Sequence, residues 1–468
     1  MHKTISITLC NCLAAAFLTV ALIPFAPAHA DDAALKSEVD ALRAEVAALK
    51  AEVEQMRTVT RTPVATAPAG APMTAAANAA PVPTIPVTNA SAPSSGASTS
   101  GTGMALGGNT TLWGYGQIDY NRPAARPADA QADLTRAVLG FNHEFNESTR
   151  VYGELEWEHA VASSEDAGES EVEQLYIEHS LNPNYGVRAG LMLVPIGLLN
   201  EHHEPTQYYG VERNFVEQAI IPSTWREGGV AGYGSTDSGW QWDIGLVTSP
   251  DLGKWDPTSD EGRASPLGSI HQELQLARAH DLSIWGRLNW LGIPGLNVGA
   301  AVFAGKIGQD TSRQFDGDAN FPADDARLLL GEAHVRWQPG PFDFSALYTR
   351  GTISDTQALN LSFLGQPTPV PKAFWGGYAQ AAWRALAWNQ SSLAPFLRYE
   401  EFNTAAAYAT QPQGLGTSPL PTQHVWTTGL NYYLNPNVVF KIDYQNFRYA
   451  DPLLNYGNRF DLGIGFQF

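Results

Sequence analysis

The sequence predicts an all-β transmembrane barrel of about 16 antiparallel strands, preceded by an N-terminal α-helical coiled coil on a disordered linker. Three observations lead to this fold class. Apolar and polar residues alternate with a period of two from Thr110 onward, and tight turns alternate with longer connections. Charged residues make up only 16% of the 468 residues, whereas soluble domains average about 25%. The mean hydropathy is nonetheless −0.19, so the chain is not a helical membrane protein.

Residues 1–30 have the three parts of a secretory signal peptide. A lysine lies near the start, an apolar stretch follows from Leu13 to Ile23, and Ala28-His29-Ala30 offers a small-residue cleavage site. The apolar stretch is shorter than the roughly 20 residues that a membrane-spanning helix needs. The only two cysteines, Cys10 and Cys12, lie within this segment, so we expect a mature protein with neither a disulfide nor a cysteine metal site.

Residues 31–57 are predicted to form a coiled coil, because a heptad repeat runs through them. Its apolar seam consists of Leu35, Val39, Leu42, Val46, Leu49, Val53 and Met56, with glutamates on one flank and lysines and arginines on the other. This pattern indicates self-association of the chain but does not choose between a dimer and a trimer. Residues 58–107 are rich in Ala, Pro, Ser, Thr and Gly and are predicted to be a disordered linker to the barrel at residues 108–468.

Sixteen strands are predicted in order along the barrel segment. They begin near Thr110, Ala132, Thr149, Glu171, Gly186, Glu227, Gly239, Asp281, Leu296, Ala326, Pro341, Ala373, Ser392, Thr422, Asn437 and Gly457. Each has room for the roughly 9 to 11 tilted residues that a bilayer-spanning strand needs. The last strand is the clearest, because Phe460, Leu462 and Ile464 alternate with Asp461 and Gly463 and an aromatic residue ends the segment.

Turn residues mark every second connection between these strands. Examples are Asn182-Pro183-Asn184, Gly292-Ile293-Pro294-Gly295 and Asn435-Pro436-Asn437. The intervening connections are mostly longer. Outer-membrane barrels have short periplasmic turns and long outer loops. The alternation of short and long connections therefore predicts that both ends of the barrel segment lie in the periplasm, together with the coiled coil. An even strand count also lets the sheet close, which lipid demands of the backbone polar groups.

A barrel of this size leaves an aqueous channel, and the third outer loop is predicted to narrow it. This loop runs from Pro195 to Thr224. The predicted constriction residues are Glu201, His202, His203, Glu204, Glu212, Arg213 and Glu217. Because carboxylates predominate among them, Coulomb attraction is expected to favour cations in the narrowed pore.

The inward face of the strands is predicted to carry charges of both signs. The predicted wall residues are Glu154, Glu156, Arg287, Arg336, Arg384, Arg398 and Lys441. An acidic loop facing a partly basic wall would create a transverse field across the pore. The sequence leaves a second interpretation open, in which neighbouring carboxylates and guanidinium groups neutralise each other and support the wall.

Catalysis and metal binding are not predicted. No Ser/His/Asp arrangement, glycine-rich phosphate loop or paired-carboxylate motif stands out, so we name no catalytic residue, no cofactor and no enzymatic activity. His202 and His203 lack the i, i+4 spacing that directs two imidazoles at one ion, so no metal site is predicted at His202-His203-Glu204. The formal net charge of −19 argues against a nucleic-acid partner.

The stretch from Trp113 to about Trp255 resembles the phosphate-selective porins O and P family. The resemblance is carried by Gly114-Tyr115-Gly116, Glu154-Leu155-Glu156, Gly190-Leu191, Pro195-Ile196-Gly197, Asn200-Glu201-His202-His203-Glu204-Pro205, Tyr209-Gly210-Val211-Glu212-Arg213-Asn214 and Trp225-Arg226-Glu227-Gly228-Gly229. It implies a sixteen-stranded trimeric outer-membrane porin whose third loop folds inward. The phosphate-selective members line the constriction with basic residues, whereas this chain has four carboxylates and one arginine between Asn200 and Gln218.

The sequence therefore favours an outer-membrane porin that gives passive diffusion of small hydrophilic solutes or ions. Two alternatives stay open: a structural envelope tether whose coiled coil contacts the cell wall, and an anion- or phosphate-selective channel as in the resembled family. The expected partners are outer-membrane lipid, further copies of the chain in a homotrimer and, for the tether, peptidoglycan.

Overall fold

A computed structural model describes residues 103–105, 108–163, 166–310, 321–363, 365–409, 419–448 and 457–468 of the chain. All described residues belong to one compact unit within residues 79–468. The predicted signal peptide, the predicted coiled coil and the linker as far as residue 102 lie outside the described residues. Within the described part of the chain, no helix is long and apolar enough to cross a membrane.

Sixteen long strands make up the sheet. They are β1 (Thr110–Pro123), β2 (Gln131–Asn146), β3 (Thr149–Glu158), β4 (Ser170–Asn182), β5 (Tyr185–Leu193), β6 (Arg226–Ser235), β7 (Trp240–Thr248), β8 (Leu282–Trp290), β9 (Leu296–Lys306), β10 (Arg327–Trp337), β11 (Phe342–Ile353), β12 (Ala373–Trp383), β13 (Ser391–Ala407), β14 (Gln423–Asn435), β15 (Val438–Phe447) and β16 (Arg459–Gln467). Two short strands, Met104–Ala105 and Leu386–Trp388, pair with β1 and β13.

Short helical segments occur in the loops between strands. The α-helices are α1 (Glu261–Ala264) and α2 (Gln357–Ser362). Turns of 3-10 helix lie at Pro127–Asp129 and Leu252–Lys254, and a π-helical turn lies at Val216–Ile220. All of these segments lie outside the sheet.

The sheet closes on itself. Each strand pairs antiparallel with its neighbours in sequence, and β16 also pairs with β1. Where the two ends meet, Gly114 and Phe468 exchange backbone hydrogen bonds of 3.1 and 2.9 Å. Closure leaves no unpaired strand edge, which a hydrocarbon environment requires. The predicted barrel of 16 antiparallel strands is confirmed, and every strand begins within two residues of its predicted start.

Strict alternation separates an apolar outer surface from the inside of the barrel. On β15, Phe440 and Ile442 are exposed on the outside, whereas Lys441 and Asp443 are buried on the inside. The other strands follow the same rule, because successive side chains of a strand point to opposite faces of the sheet. The outer surface is therefore the face that suits lipid.

The inside of the barrel is less polar than alternation predicts. Phe303, Leu330 and Phe374 point inward from their strands and are fully buried. They belong to one apolar cluster with loop residues that include Ile220 and Leu267. Because the two longest loops fold inward over these positions, the strand side chains meet apolar loop side chains instead of water.

The connections differ in length at the two ends of the barrel. One end carries short connections such as residues 147–148, 183–184 and 436–437, and both β1 and β16 have their outer termini there. The other end carries the longer loops, of which residues 194–225 form the third. We call this segment the third loop.

Candidate functional site

The third loop crosses the inside of the barrel. The backbone amide of Val211 donates to Asp443 Oδ2 on β15 at 2.6 Å, and the amide of Gly210 donates to Asn431 Oδ1 on β14 at 3.2 Å. The loop leaves the wall at β5 and returns at β6, so contacts with β14 and β15 place it within the lumen. The sequence expectation that the third loop folds inward agrees with these contacts.

Side chains of β1 and β2 hold the loop on the near side of the lumen. Gln117 Nε2 donates to the Val211 carbonyl at 3.2 Å, and the Tyr208 hydroxyl donates to Gln117 Oε1 at 2.8 Å. Arg136 Nη2 donates to the His203 carbonyl at 2.5 Å. The loop backbone is thus fixed by buried hydrogen bonds to strands β1, β2, β14 and β15.

Glu217 joins the two limbs of the third loop to the far wall. Its Oε2 accepts from the amides of Leu198 and Leu199 at 2.8 and 2.7 Å. Its Oε1 accepts from the Tyr378 hydroxyl at 2.8 Å and from Asn214 Nδ2 at 3.1 Å. Burial raises the pKa of Glu217, although these donors act in the opposite direction. The carboxylate of this predicted constriction residue is therefore occupied by hydrogen bonds within the loop and to the wall.

Two other predicted constriction carboxylates also form ion pairs with the wall. Glu201 pairs with Arg287 on β8. Glu212 lies 3.3 Å from Arg459 on β16 and accepts from Asn121 Nδ2 on β1 at 3.1 Å. Both carboxylates therefore anchor the loop as well as adding negative charge.

The remaining predicted constriction residues differ in exposure. His202 is exposed and Arg213 is half-buried, whereas His203 and Glu204 are buried between the loop and the wall. The His203 ring approaches the wall closely, because its Nε2 lies 2.7 Å from the Tyr115 hydroxyl. The two adjacent histidines thus differ, because one ring is exposed and the other is buried against the wall.

The predicted wall residues lie on the inside of the barrel. Glu154 and Glu156 are on β3, Arg287 on β8, Arg336 on β10, Arg398 on β13 and Lys441 on β15, while Arg384 directly follows β12. Arg336 holds Asp343 through two hydrogen bonds of 3.1 and 2.7 Å, and Arg398 Nε lies 2.8 Å from Glu400 Oε1. The Lys441 ammonium lies 3.6 Å from the centre of the Tyr208 ring. Most of these charges therefore have close partners in the wall or the loop.

A gap lies between the third loop and strands β10 to β13. Its lining comprises Leu198, Leu199, Gln207, Tyr208, Tyr209 and Asn214 from the loop, and Arg336, Ser345, Tyr378, Gln380 and Arg398 from the wall. Amide, hydroxyl and guanidinium groups predominate on the wall side, so water and small polar solutes find hydrogen-bond partners there.

Several residues of this lumen were not singled out by the sequence. Tyr378 and Gln380 line the gap, but as uncharged residues on a strand they carry no sequence signal beyond their inward position. Glu173 is fully buried beside Glu154 and His203, and these three residues could hold a metal ion, as could Glu156, Glu171 and Glu173. The proximity of such residues depends on strand pairing and on the path of the loop, neither of which sequence spacing reveals.

A comparison with a solved porin structure shows a common fold. The chain is similar to the OmpF porin of Salmonella typhi, solved in complex with daunomycin, with a TM-score of 0.55 and 15% identity over 78% of this chain and 100% of that one. It is also similar to the outer membrane channel DcaP of Acinetobacter baumannii, with a TM-score of 0.47 and 13% identity over 77% of this chain and 97% of that one. At these identities the likeness to OmpF shows a common fold and nothing further.

A sequence relative exists in Aquifex aeolicus (strain VF5). This uncharacterized protein is 28% identical over 354 residues, which is 73% of this chain and 76% of that protein. No protein-family model matches the chain. The resemblance to the phosphate-selective porins is accordingly not confirmed, whereas the porin-like barrel is.

Proposed function

We propose that this protein is an outer-membrane porin through which small hydrophilic solutes or ions diffuse passively. The observation that carries the proposal is the closed barrel with an apolar outer surface and a loop folded into its lumen. A closed sheet pairs the backbone polar groups of its strands with one another, as lipid requires. A barrel of this size also encloses space for water. The gap beside the third loop is lined by polar side chains of the wall.

We further propose that the pore prefers cations. Among the buried charged residues, carboxylates outnumber arginines and lysines. Glu154, Glu156 and Glu173 lie together on β3 and β4, whereas Arg336 and Arg398 lie on the opposite strands β10 and β13. Because both arginines are paired with carboxylates of the wall, the net negative charge of the inside favours cation entry.

Single-channel recording in planar bilayers under a salt gradient tests this function. We expect discrete open levels and a reversal potential displaced toward the cation equilibrium potential. A purified, folded barrel that carries no current would overturn the porin proposal. A reversal potential on the anion side would overturn the charge argument and support the anion- or phosphate-selective alternative.

Two cysteine variants locate the conducting path. Gln380 lines the gap and Ala381, its neighbour on β12, is exposed on the outer surface. The chain has no cysteine beyond Cys12, so an introduced thiol in the barrel is unique there. We expect a charged thiosulfonate reagent to reduce the current through Gln380→Cys and to leave Ala381→Cys unchanged. Equal responses of the two variants would contradict a path through this gap.

We propose the periplasm for the N-terminal segment and a homotrimer for the assembly. The outer termini of β1 and β16 lie at the end with the short connections, which is the periplasmic end in barrels of this kind. The heptad repeat of residues 35–57 supplies a means of self-association on that side. Native mass spectrometry of the detergent-solubilised protein measures the number of chains directly.

A further inference from the structure

We propose that Glu154, Glu173 and His203 form a binding site for a divalent transition-metal ion of the zinc class, with the Tyr115 hydroxyl at a fourth corner. The site lies between the third loop and strands β1, β3 and β4. It revises the sequence expectation that no metal binds, and it stands whether or not the barrel conducts.

The distances fit a tetrahedron around one ion. His203 Nε2 lies 3.5 Å from Glu173 Oε2 and 3.7 Å from Glu154 Oε1, and all three atoms lie within 4.8 Å of one another. The Tyr115 oxygen lies 2.7 Å from His203 Nε2, 3.1 Å from Glu154 Oε1 and 3.3 Å from Glu173 Oε2. Four ligands about 2.1 Å from a zinc ion stand roughly 3.4 Å apart, so small shifts would bring all four atoms into contact with an ion.

Neighbouring groups orient the proposed ligands. His203 Nδ1 lies 3.0 Å from the Asn200 carbonyl, to which it donates, and its Nε2 is directed at the two carboxylates. Gln174 Nε2 donates to Glu154 Oε2 at 2.6 Å, which leaves Oε1 of that carboxylate toward His203. Metal-binding histidines and carboxylates are commonly held in this way by a second layer of hydrogen bonds.

A β-bulge brings Glu173 into the site. The register between β3 and β4 shifts after the pair Glu154 and Gln174, and Leu155 then lies opposite Val172. Glu173 is the extra residue, and both it and Gln174 are buried on the inside of the barrel. Regular alternation would turn one of these two neighbours outward, so the bulge serves to direct an additional carboxylate inward.

The surrounding charge favours a cation. Among the described residues no hydrogen-bond donor reaches Glu173 Oε1, although that residue is fully buried. Glu156 and Glu171 also come within 4.8 Å of Glu173, while Arg226 binds Glu171 at the rim. Buried carboxylates at such separations need a proton or a cation between them.

Arg136 on β2 contacts two residues of the site. Its guanidinium lies 5.2 Å from the centre of the Tyr115 ring and donates to the His203 carbonyl. It therefore supports the loop backbone at the site. A bound ion would connect β1, β3 and β4 to the third loop and fix the loop against the wall.

Zinc binding to the untagged full-length protein tests the site. The protein is stripped with EDTA in detergent and titrated with Zn²⁺ by equilibrium dialysis. We expect one equivalent to bind tightly. With Co²⁺ as the probe, we expect the strong visible absorption of a four-coordinate ion. Absence of a tight equivalent, or a weak six-coordinate Co²⁺ spectrum, would overturn the proposal and leave His203 as an imidazolium paired with two carboxylates.

The adjacent histidines provide a matched pair of variants. We expect His203→Ala to weaken Zn²⁺ binding by at least about tenfold and His202→Ala to leave it unchanged, since His202 lies outside the cluster. Equal affinities of the two variants would overturn the assignment. Should His203→Ala fail to fold, as judged by the heat-dependent gel shift of barrels, Glu173→Gln gives the same comparison with little change of shape.

Discussion

At the scale of single residues, the position of the third loop depends on a few buried polar side chains. The sequence could indicate that Glu217 is a loop residue and that Tyr378 points inward, because strand alternation fixes the face of each residue. It could not pair them, since 161 positions separate the two. The sequence could therefore predict the negative charge of the third loop, but the partners of each carboxylate could be identified only from the structure.

Glu217→Gln tests the anchoring role of this carboxylate. Four donors surround the two carboxylate oxygens, and an amide would present its own N–H₂ group to two of them. We expect the free energy of unfolding to fall by about 2 kcal/mol or more, as for other buried hydrogen bonds to charged groups. Urea unfolding in detergent and limited proteolysis of the loop measure the loss.

Glu212→Gln is the matched control for this prediction. Glu212 lies in the same loop, but its side chain is 27% exposed and its partner Arg459 is 20% exposed. We expect a loss below about 1 kcal/mol. Equal losses for the two variants would show that burial of the Glu217 network does not decide the position of the loop.

At the scale of elements, the strands were predictable and the loops were not. The period-two pattern predicted the start of each strand within two residues, because one face of every strand meets lipid. The bulge at Glu173 escaped prediction, since one extra residue leaves no mark in the composition. The apolar residues at inward positions, such as Phe303, are explained by the loops that cover them, and the path of these loops was not predicted.

The fit between β16 and the third loop allows a test at this scale. A Cβ added at Gly465 would come within 2.5 Å of Pro205 Cβ. We expect Gly465→Ala to push the loop away from the wall, to lower the single-channel conductance and to cost about 1 to 3 kcal/mol of stability through overpacking. Single-channel recording and urea unfolding provide the two readouts.

Gly331→Ala on β10 is the control for this substitution. A Cβ at Gly331 meets no atom within 4 Å in the described part of the chain. We expect wild-type conductance from it. If Gly465→Ala and the control had equal conductance, the added methyl group would not displace the third loop.

At the scale of the whole molecule, we expect the closed barrel to be independent of the predicted coiled coil and linker. The even number of strands could be predicted from the alternation of short and long connections. The number of chains in the assembly could not, because the heptads fit more than one stoichiometry. Residues 110–123 and 459–467 close the sheet between them, and within residues 31–107 the described part of the chain adds only the short strand Met104–Ala105 beside β1.

Deletion of residues 31–107 tests this independence. We expect unchanged single-channel conductance, because the pore lies within residues 110–468. Loss of conductance in a folded barrel would contradict the expectation. Unchanged conductance together with a weakened cell envelope would favour an additional tether function for the N-terminal segment.

The hydrogen bonds between β1 and β16 also constrain how the molecule is made. The two strands that meet at this junction come from opposite ends of the barrel sequence, so fifteen strands can be paired while two rows of backbone amides and carbonyls still lack partners. Those rows are apt to join any other exposed strand. The barrel must therefore pair the nine residues of its last strand before it enters the bilayer, or a helper protein must cover both edges until that strand is paired.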